Sequence, residues 1–262
     1  MEAWFINGIL YNSVVWGSFA EKHINELEVI DHMILRSILG AQAKVAVETL
    51  YLETASMSIR CVISVRRIIY LKTILSRHND EVTKKVYLAM KANPYKGDWY
   101  YQVQADFQKF GIVMNEQEIE ETDLPTSKKT IKTCVWNAFF KEMQAVKLTH
   151  TKVKHIPYSG ARKPHPYLTN QKFNNEMCSV LFNLRCESTN QFKYNFHSLY
   201  GKTHLCKCGK AIDTQSHALA CEFVKRELTQ NELNMLNNVK YSDIYGSVNQ
   251  QYSITKILQR IL

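Results

Sequence analysis

"INELEVIDHMILRSILG" (residues 24–40) spaces Ile24, Leu27, Ile30, Ile34 and Ile38 three or four positions apart, with charged and polar residues between them. That period lines apolar side chains along one face of an α-helix; a strand would need alternation every second residue. Ser18 and Glu21 form a capping-box pair before the run, and Gly40 after it supplies a left-handed stop. The same period recurs along the chain. A second long helix is expected from about Ile59 to Arg77, through Val62, Ile63, Ile69 and Ile74. Asp80 is placed to cap a third, which ends before Pro94. Asp98 is placed to cap a fourth, with Trp99, Val103, Phe107 and Phe110 on one face and Gly111 after it. Residues 112–127, holding Glu116, Glu118, Glu120, Glu121, Asp123 and Pro125, read as an acidic connector. Ser127 is placed to cap a fifth helix through Ile131, Val135, Phe139, Met143 and Val146. A sixth covers about Asn170 to Cys186, and two shorter helical stretches are expected near 227–237 and 252–262. The fold class is mainly α.

A chain of 262 residues, 45% hydrophobic and 22% charged, can bury a real core, which excludes global disorder. Nine glycines and five prolines are few interruptions, and they favour long helices over many short strands. The net charge of +9 is unevenly spread: no Asp or Glu occurs from Met143 to Asn175, where Lys147, Lys152, Lys154, Arg162, Lys163 and Lys172 stand. A one-signed stretch of that length favours a polyanion such as nucleic acid, or an anionic membrane surface; the bland reading is a solvated loop. The amino terminus has no basic region ahead of its apolar residues, and Asn7, Asn12 and Ser13 break the run, so neither a signal peptide nor a membrane span is expected. Seven cysteines, an odd number, argue for a reducing, intracellular compartment (nucleus or cytoplasm) and against a disulfide framework.

Cysteines cluster once, as Cys206-x-Cys208-x8-His217-x3-Cys221. Three thiols and an imidazole suit a tetrahedral structural zinc. His217 and Cys221, four apart, share one face of a helix, and Gly209 lets the chain reverse after the first pair. Lys207 and Lys210 favour thiolates. The other reading is three free cysteines beside a surface histidine, and the single residue between Cys206 and Cys208 is tighter than the common C-x2–4-C pattern. Cys61, Cys134, Cys178 and Cys186 lie on helical faces and read as core.

"LYNSVVWGS" (10–18), "INELEVIDHMILRSILG" (24–40), "ETLYLETASMSI" (48–59) and "VISVRRIIYLKTILSR" (62–77) together resemble the thumb of non-LTR, LINE-type retrotransposon reverse transcriptases. "LFNLRC" (181–186) followed by "LCKCGKAIDTQSHALAC" (205–221) resembles the endpiece of the same proteins, which ends in a Cys-Cys-His-Cys knuckle. The resemblance implies a helical thumb-like region over 1–93, a helix and acidic connector over 94–126, and a basic helical endpiece over 127–262 with its zinc knuckle at 205–222. It also implies binding to RNA or DNA, and a palm and fingers of a parent polymerase upstream as a further partner. Polymerisation itself requires paired carboxylates holding two metal ions. No Asp-Asp pair occurs in this chain, so no catalytic residue is assigned and no polymerase activity is expected of it alone.

Two sets of residues are candidates for nucleic acid. Arg66 and Arg77 fall within about 20° of each other on a helix and can meet phosphates, whereas Arg67 or Lys72 can pair with acids on neighbouring helices. In "HTKVKHIPYSGARKPHPY" (150–167), Lys152, Lys154, Arg162 and Lys163 offer cations, and His155, Tyr158, His165 and Tyr167 offer stacking faces in an extended loop stiffened by Pro157, Pro164 and Pro166. A different class of function is a helical protein-interaction scaffold, and a third reading is a retroelement remnant without selected function.

Overall fold

The computed structural model of the chain describes residues 10–16, 21–158, 160, 162–188, 206, 208, 210, 217, 220–226, 228–236 and 240–261. In chain order its helices are α1 (Ser13–Trp16), α2 (Glu21–Leu39), α3 (Val47–Thr54), α4 (Ile59–Leu75), α5 (Val82–Ala92), α6 (Trp99–Lys109) and α7 (Glu116–Glu121). They continue as α8 (Leu124–Lys147), α9 (Pro166–Thr169), α10 (Asn175–Arg185), α11 (Glu222–Lys225), α12 (Gln230–Leu236), a 3-10 turn (Tyr241–Tyr245) and α13 (Val248–Ile261). No strand occurs among the described residues, and the protein is mainly α.

Several helix ends fall where local chemistry places them. Gly40 takes φ +57° after α2. Asp98 Oδ1 accepts the Tyr101 N–H at 2.6 Å and starts α6. Gly111, at φ +59°, closes α6 while the Ile112 N–H reaches back to the Phe107 carbonyl at 3.0 Å. Other ends differ from expectation. α4 stops at Leu75, so Arg77 lies beyond the helix and its Nη1 meets Glu81 at 2.7 Å. Glu81, not Asp80, precedes α5, and Asp80 faces His78 and Lys85 instead. α8 begins before Ser127: Asp123 Oδ2 accepts the Thr126 N–H at 3.0 Å, and Pro125 sits in the first turn, where its missing N–H goes unneeded. α10 starts at Asn175, later than expected, because Asn174 caps it by accepting the Met177 N–H at 2.8 Å. The acidic connector contains a helix, α7, closed reciprocally by Asn115 and Glu118 and anchored by the buried Ile119. The expected capping pair at Ser18 lies outside the described residues.

The chain forms two compact units, one from Met1–Ile34 with Ser56–Gln144, the other from Leu35–Ala55 with Ala145–Leu262. The first is built round α4, whose sequence IRCVISVRRIIYLKTIL is apolar nearly all round, as a helix buried on several sides must be. α1, α5, α6 and α7 pack against it. Leu71, Ile74 and Leu75 meet Tyr87, Val103 and Ile119 at one end, and Ile59 and Ile63 meet Leu10 and Ile24 at the other. The buried charged groups Arg67, Asp106, Lys72 and Lys84 of this unit each meet polar partners. Arg67 Nη1 lies 2.7 Å from Asp106, which also accepts from Ser64 Oγ at 2.8 Å, so Arg67 does pair with an acid on a neighbouring helix. Lys72 does not: its ammonium donates to the carbonyls of Ile119 (2.7 Å), Glu120 (3.1 Å) and Thr122 and so caps α7. Lys84 caps α4 in the same way through Leu75 O.

The second unit ties residues 35–55 to helices far along the chain. Asn183 Nδ2 donates to the Gly40 carbonyl at 2.8 Å, and its Oδ1 accepts the Gln42 N–H at 3.3 Å. A Cβ on Gly40 would lie 2.0 Å from Ser179 Oγ, so both its conformation and its neighbour require glycine there. α10 and α13 pack together with the 3-10 turn between them. At their centre Glu53 and Arg185, each with a side-chain exposure of 0%, form an ion pair at 2.8 Å. Tyr158 OH donates to the same Glu53 oxygen at 3.1 Å, and Arg185 Nη1 donates to Ile244 O at 3.0 Å. The Tyr245 and Tyr167 rings sit 5.5 and 5.9 Å from the guanidinium. His165, whose N–H holds the Glu53 carbonyl at 2.8 Å, has its imidazole pKa lowered to about 4, chiefly by burial. Between pH 6.5 and about 4 the unfolded chain therefore binds a proton that the folded unit refuses, and stability falls as pH falls through that window. Urea melts at pH 7 and pH 5 should show a smaller loss for His165→Gln than for the parent chain; equal losses would contradict this assignment.

Candidate metal centre

Cys221 lies at the start of α11, where its carbonyl accepts the Lys225 N–H at 3.0 Å, and its side chain is buried. Cys206, Cys208 and His217 come to it half-buried, and the four ligand atoms all lie within 4.8 Å of one another. Cys206 Sγ is 3.6 Å from Cys221 Sγ, and Cys208 Sγ is 3.2 Å from His217 Nε2. A tetrahedral site with metal–sulfur bonds of about 2.3 Å has edges of about 3.8 Å, so these separations suit one ion at the centre. Three thiols and an imidazole are a complete donor set for a closed, structural site, which leaves no coordination position for a substrate.

The thiols differ before any metal arrives. The Lys210 N–H, 3.4 Å from Cys208 Sγ, is the main cause that lowers the Cys208 pKa to about 6, with His217 adding to it. Burial pushes Cys206 up to about 11. Cys208 is thus a ready thiolate near neutral pH, and Cys206 must surrender a proton to bind. None of the seven cysteines is in a disulfide. Cys61 and Cys186 are buried, and burial raises both thiols, to about 11 for Cys61, as inert core positions require.

The structure divides the residues expected to meet nucleic acid. Arg66, in α4, donates from Nη1 to Leu10 O at 2.6 Å, and Arg77 is bonded to Glu81, so the helical pair does not form a matched phosphate clamp. Lys154, Arg162 and Lys163 are exposed and Lys152 is half-buried. Tyr167 has 0% exposure and packs on Phe173 with ring centroids 6.0 Å apart, so its expected stacking role gives way to a structural one. Tyr158 likewise turns inward: its hydroxyl is spent on Glu53, its ring carries the Lys147 ammonium at 5.2 Å, and burial raises its pKa. His155 remains exposed, with Nε2 2.7 Å from Tyr245 OH. The loop is therefore a basic edge without the two tyrosine platforms. Lys147 does not join that edge, because its ammonium is held by the Lys154 and Ile156 carbonyls at 3.2 and 2.5 Å. Lys44 does join it: the residue is exposed, and partial desolvation of its ammonium, with the like charge of Lys152, lowers its pKa. No pattern in the sequence connects Lys44 with a residue so far along the chain.

No helix among the described residues is long and apolar enough to cross a membrane. Comparisons of the chain with protein-family models, curated proteins and solved structures return no match.

Proposed function

We propose that the Cys206, Cys208, His217 and Cys221 cluster holds a structural zinc ion, and that the second unit uses this knuckle and its basic edge to bind single-stranded or structured nucleic acid. Zinc fits better than other ions of similar size because three thiolates and one imidazole are soft and borderline donors arranged for four-coordination. The single observation that carries the reading is the convergence of those four ligand atoms within 4.8 Å. Lys44, Lys152, Lys154, Arg162 and Lys163 supply cations, and the absence of Asp and Glu from Met143 to Asn175 leaves nothing on that stretch to repel phosphate. The resemblance of the helical stretches and the knuckle to the thumb and endpiece of LINE-type reverse transcriptases favours the same function. Binding without polymerisation is the activity proposed, since the chain contains no Asp-Asp pair.

Fluorescence anisotropy with 20-nucleotide single-stranded RNA and DNA across a salt series tests it. About four phosphate contacts predict a slope of log K against log salt near −3 for single strands. Lys154→Glu with Lys163→Glu should weaken binding about tenfold and flatten the slope by about 1.4. No affinity at low salt, or affinity indifferent to salt, would remove the proposal.

A further inference from the structure

Within the first unit, α4 is covered on most sides, but one face is left uncovered by the described residues. Val62, Val65, Arg66, Ile69, Tyr70 and Thr73 follow one another at helical spacing along a trough of about 580 Å³. Met57 and Val14 also line it, and Lys128 and Lys132 of α8 form one rim. Both lysines are exposed, and neither pairs with a carboxylate among the described residues. Arg66 adds a third cation while its Nη1 holds the Leu10 carbonyl. No acidic residue lines the trough.

We propose that this trough docks an acidic amphipathic helix of a protein partner. Residues 62 to 73 extend for roughly 16 Å at 1.5 Å per residue, about three turns, which is the length over which a helix presents apolar anchors at i, i+3 or i+4, and i+7. The floor is aliphatic and only half-buried at Val14, Met57, Val62 and Ile69, so an apolar stripe laid along it removes water from both surfaces. Acids flanking that stripe meet Lys128 and Lys132, one helical turn apart. The trough is open along its length, unlike small-molecule pockets that enclose most of their ligand. Nucleic acid is the poorer occupant: the floor offers one aromatic ring, Tyr70, and that ring already meets Trp99 edge-on at 6.2 Å. This inference is independent of the knuckle and its basic edge.

The test uses the full chain and a fluorescein-labelled 14-residue peptide with Leu at i, i+3, i+4, i+7 and i+11 and Glu at the flanking positions. The expected result is saturable binding that weakens at least tenfold when Lys replaces Glu in the peptide. It should weaken as much in the Lys128→Glu, Lys132→Glu double variant, whose exposed side chains leave the fold and its circular dichroism unchanged. Ile69→Asp should abolish binding. Equal binding of acidic and basic peptides, or no binding of either, overturns the proposal. Displacement of the peptide by a 12-nucleotide RNA would assign the trough to nucleic acid. At least tenfold tighter binding after removal of residues 1–9 would assign it to the chain's own amino terminus. Either outcome overturns it as well.

Discussion

Glu53→Ala is expected to destabilise the second unit by about 3–5 kcal/mol, because it leaves the Arg185 guanidinium charged and buried without its counter-ion. Burial alone draws the Arg185 pKa down, yet the Glu53 carboxylate, with Tyr158 and Tyr167, reverses this and raises it. The charge therefore stays, and an uncompensated buried charge is the costly outcome. Glu53→Gln should lose less, since an amide oxygen still accepts from Arg185 Nε and from Tyr158 OH. The double variant Glu53→Leu, Arg185→Met should recover much of the loss, as apolar replacements of buried ion pairs commonly do. Urea denaturation followed by circular dichroism checks all three, and a loss below about 0.5 kcal/mol for Glu53→Ala, the range of ordinary surface changes, would contradict the keystone role. This pair joins residues 132 apart in sequence, so the effect should extend to both segments of the unit.

Removal of the proposed zinc ion is expected to unfold the knuckle and leave the α10–α13 core standing. In a small closed site the binding energy is the local folding energy, about 10–16 kcal/mol for structural zinc in short peptides near pH 7. Hydrogen exchange after chelation should therefore rise at residues 220–226 and stay slow in α10 and α13. The proton count adds a pH signature. With Cys206 near 11 and Cys208 near 6, metal binding at pH 7 releases a proton from Cys206 but finds Cys208 mainly as thiolate. Below pH 6 Cys208 must give up its proton too, so affinity falls more steeply there. Cys206→Ser and Cys221→Ser should each reduce bound metal from one equivalent to a small fraction. Retention of a full equivalent in both variants would show that the ion sits elsewhere.

What the sequence revealed was local. The stop at Gly40, the cap at Asp98, the close at Gly111 and the Cys206–Cys221 spacing each depend on neighbours a few residues away. Five helices among the described residues escaped: α1, α9 and α11, of four residues each, and the longer α3 and α7. α7 is so acidic that Ile119 is its one aliphatic anchor, and periodicity had nothing to count, although Asn115 and Glu118 stood three apart as a capping box. α3 is buried on most sides, and eight residues are too few for an amphipathic pattern to show. Tyr158 and Tyr167 were misread for a related reason. Prolines and cations around them signal an exposed loop, whereas the group that draws them inward, the Glu53–Arg185 pair, lies on two distant helices. Arg66, Lys72 and Lys147 likewise belong to carbonyl groups that only the folded chain brings near.

The proposed zinc ion would sit among Cys206, Cys208, His217 and Cys221. X-ray absorption at the zinc edge on purified chain tests this placement most directly. The prediction is one equivalent of zinc with three sulfur neighbours at about 2.3 Å and one nitrogen at about 2.0–2.1 Å. A chain without stoichiometric zinc, or a first shell of oxygen and nitrogen alone, would contradict it.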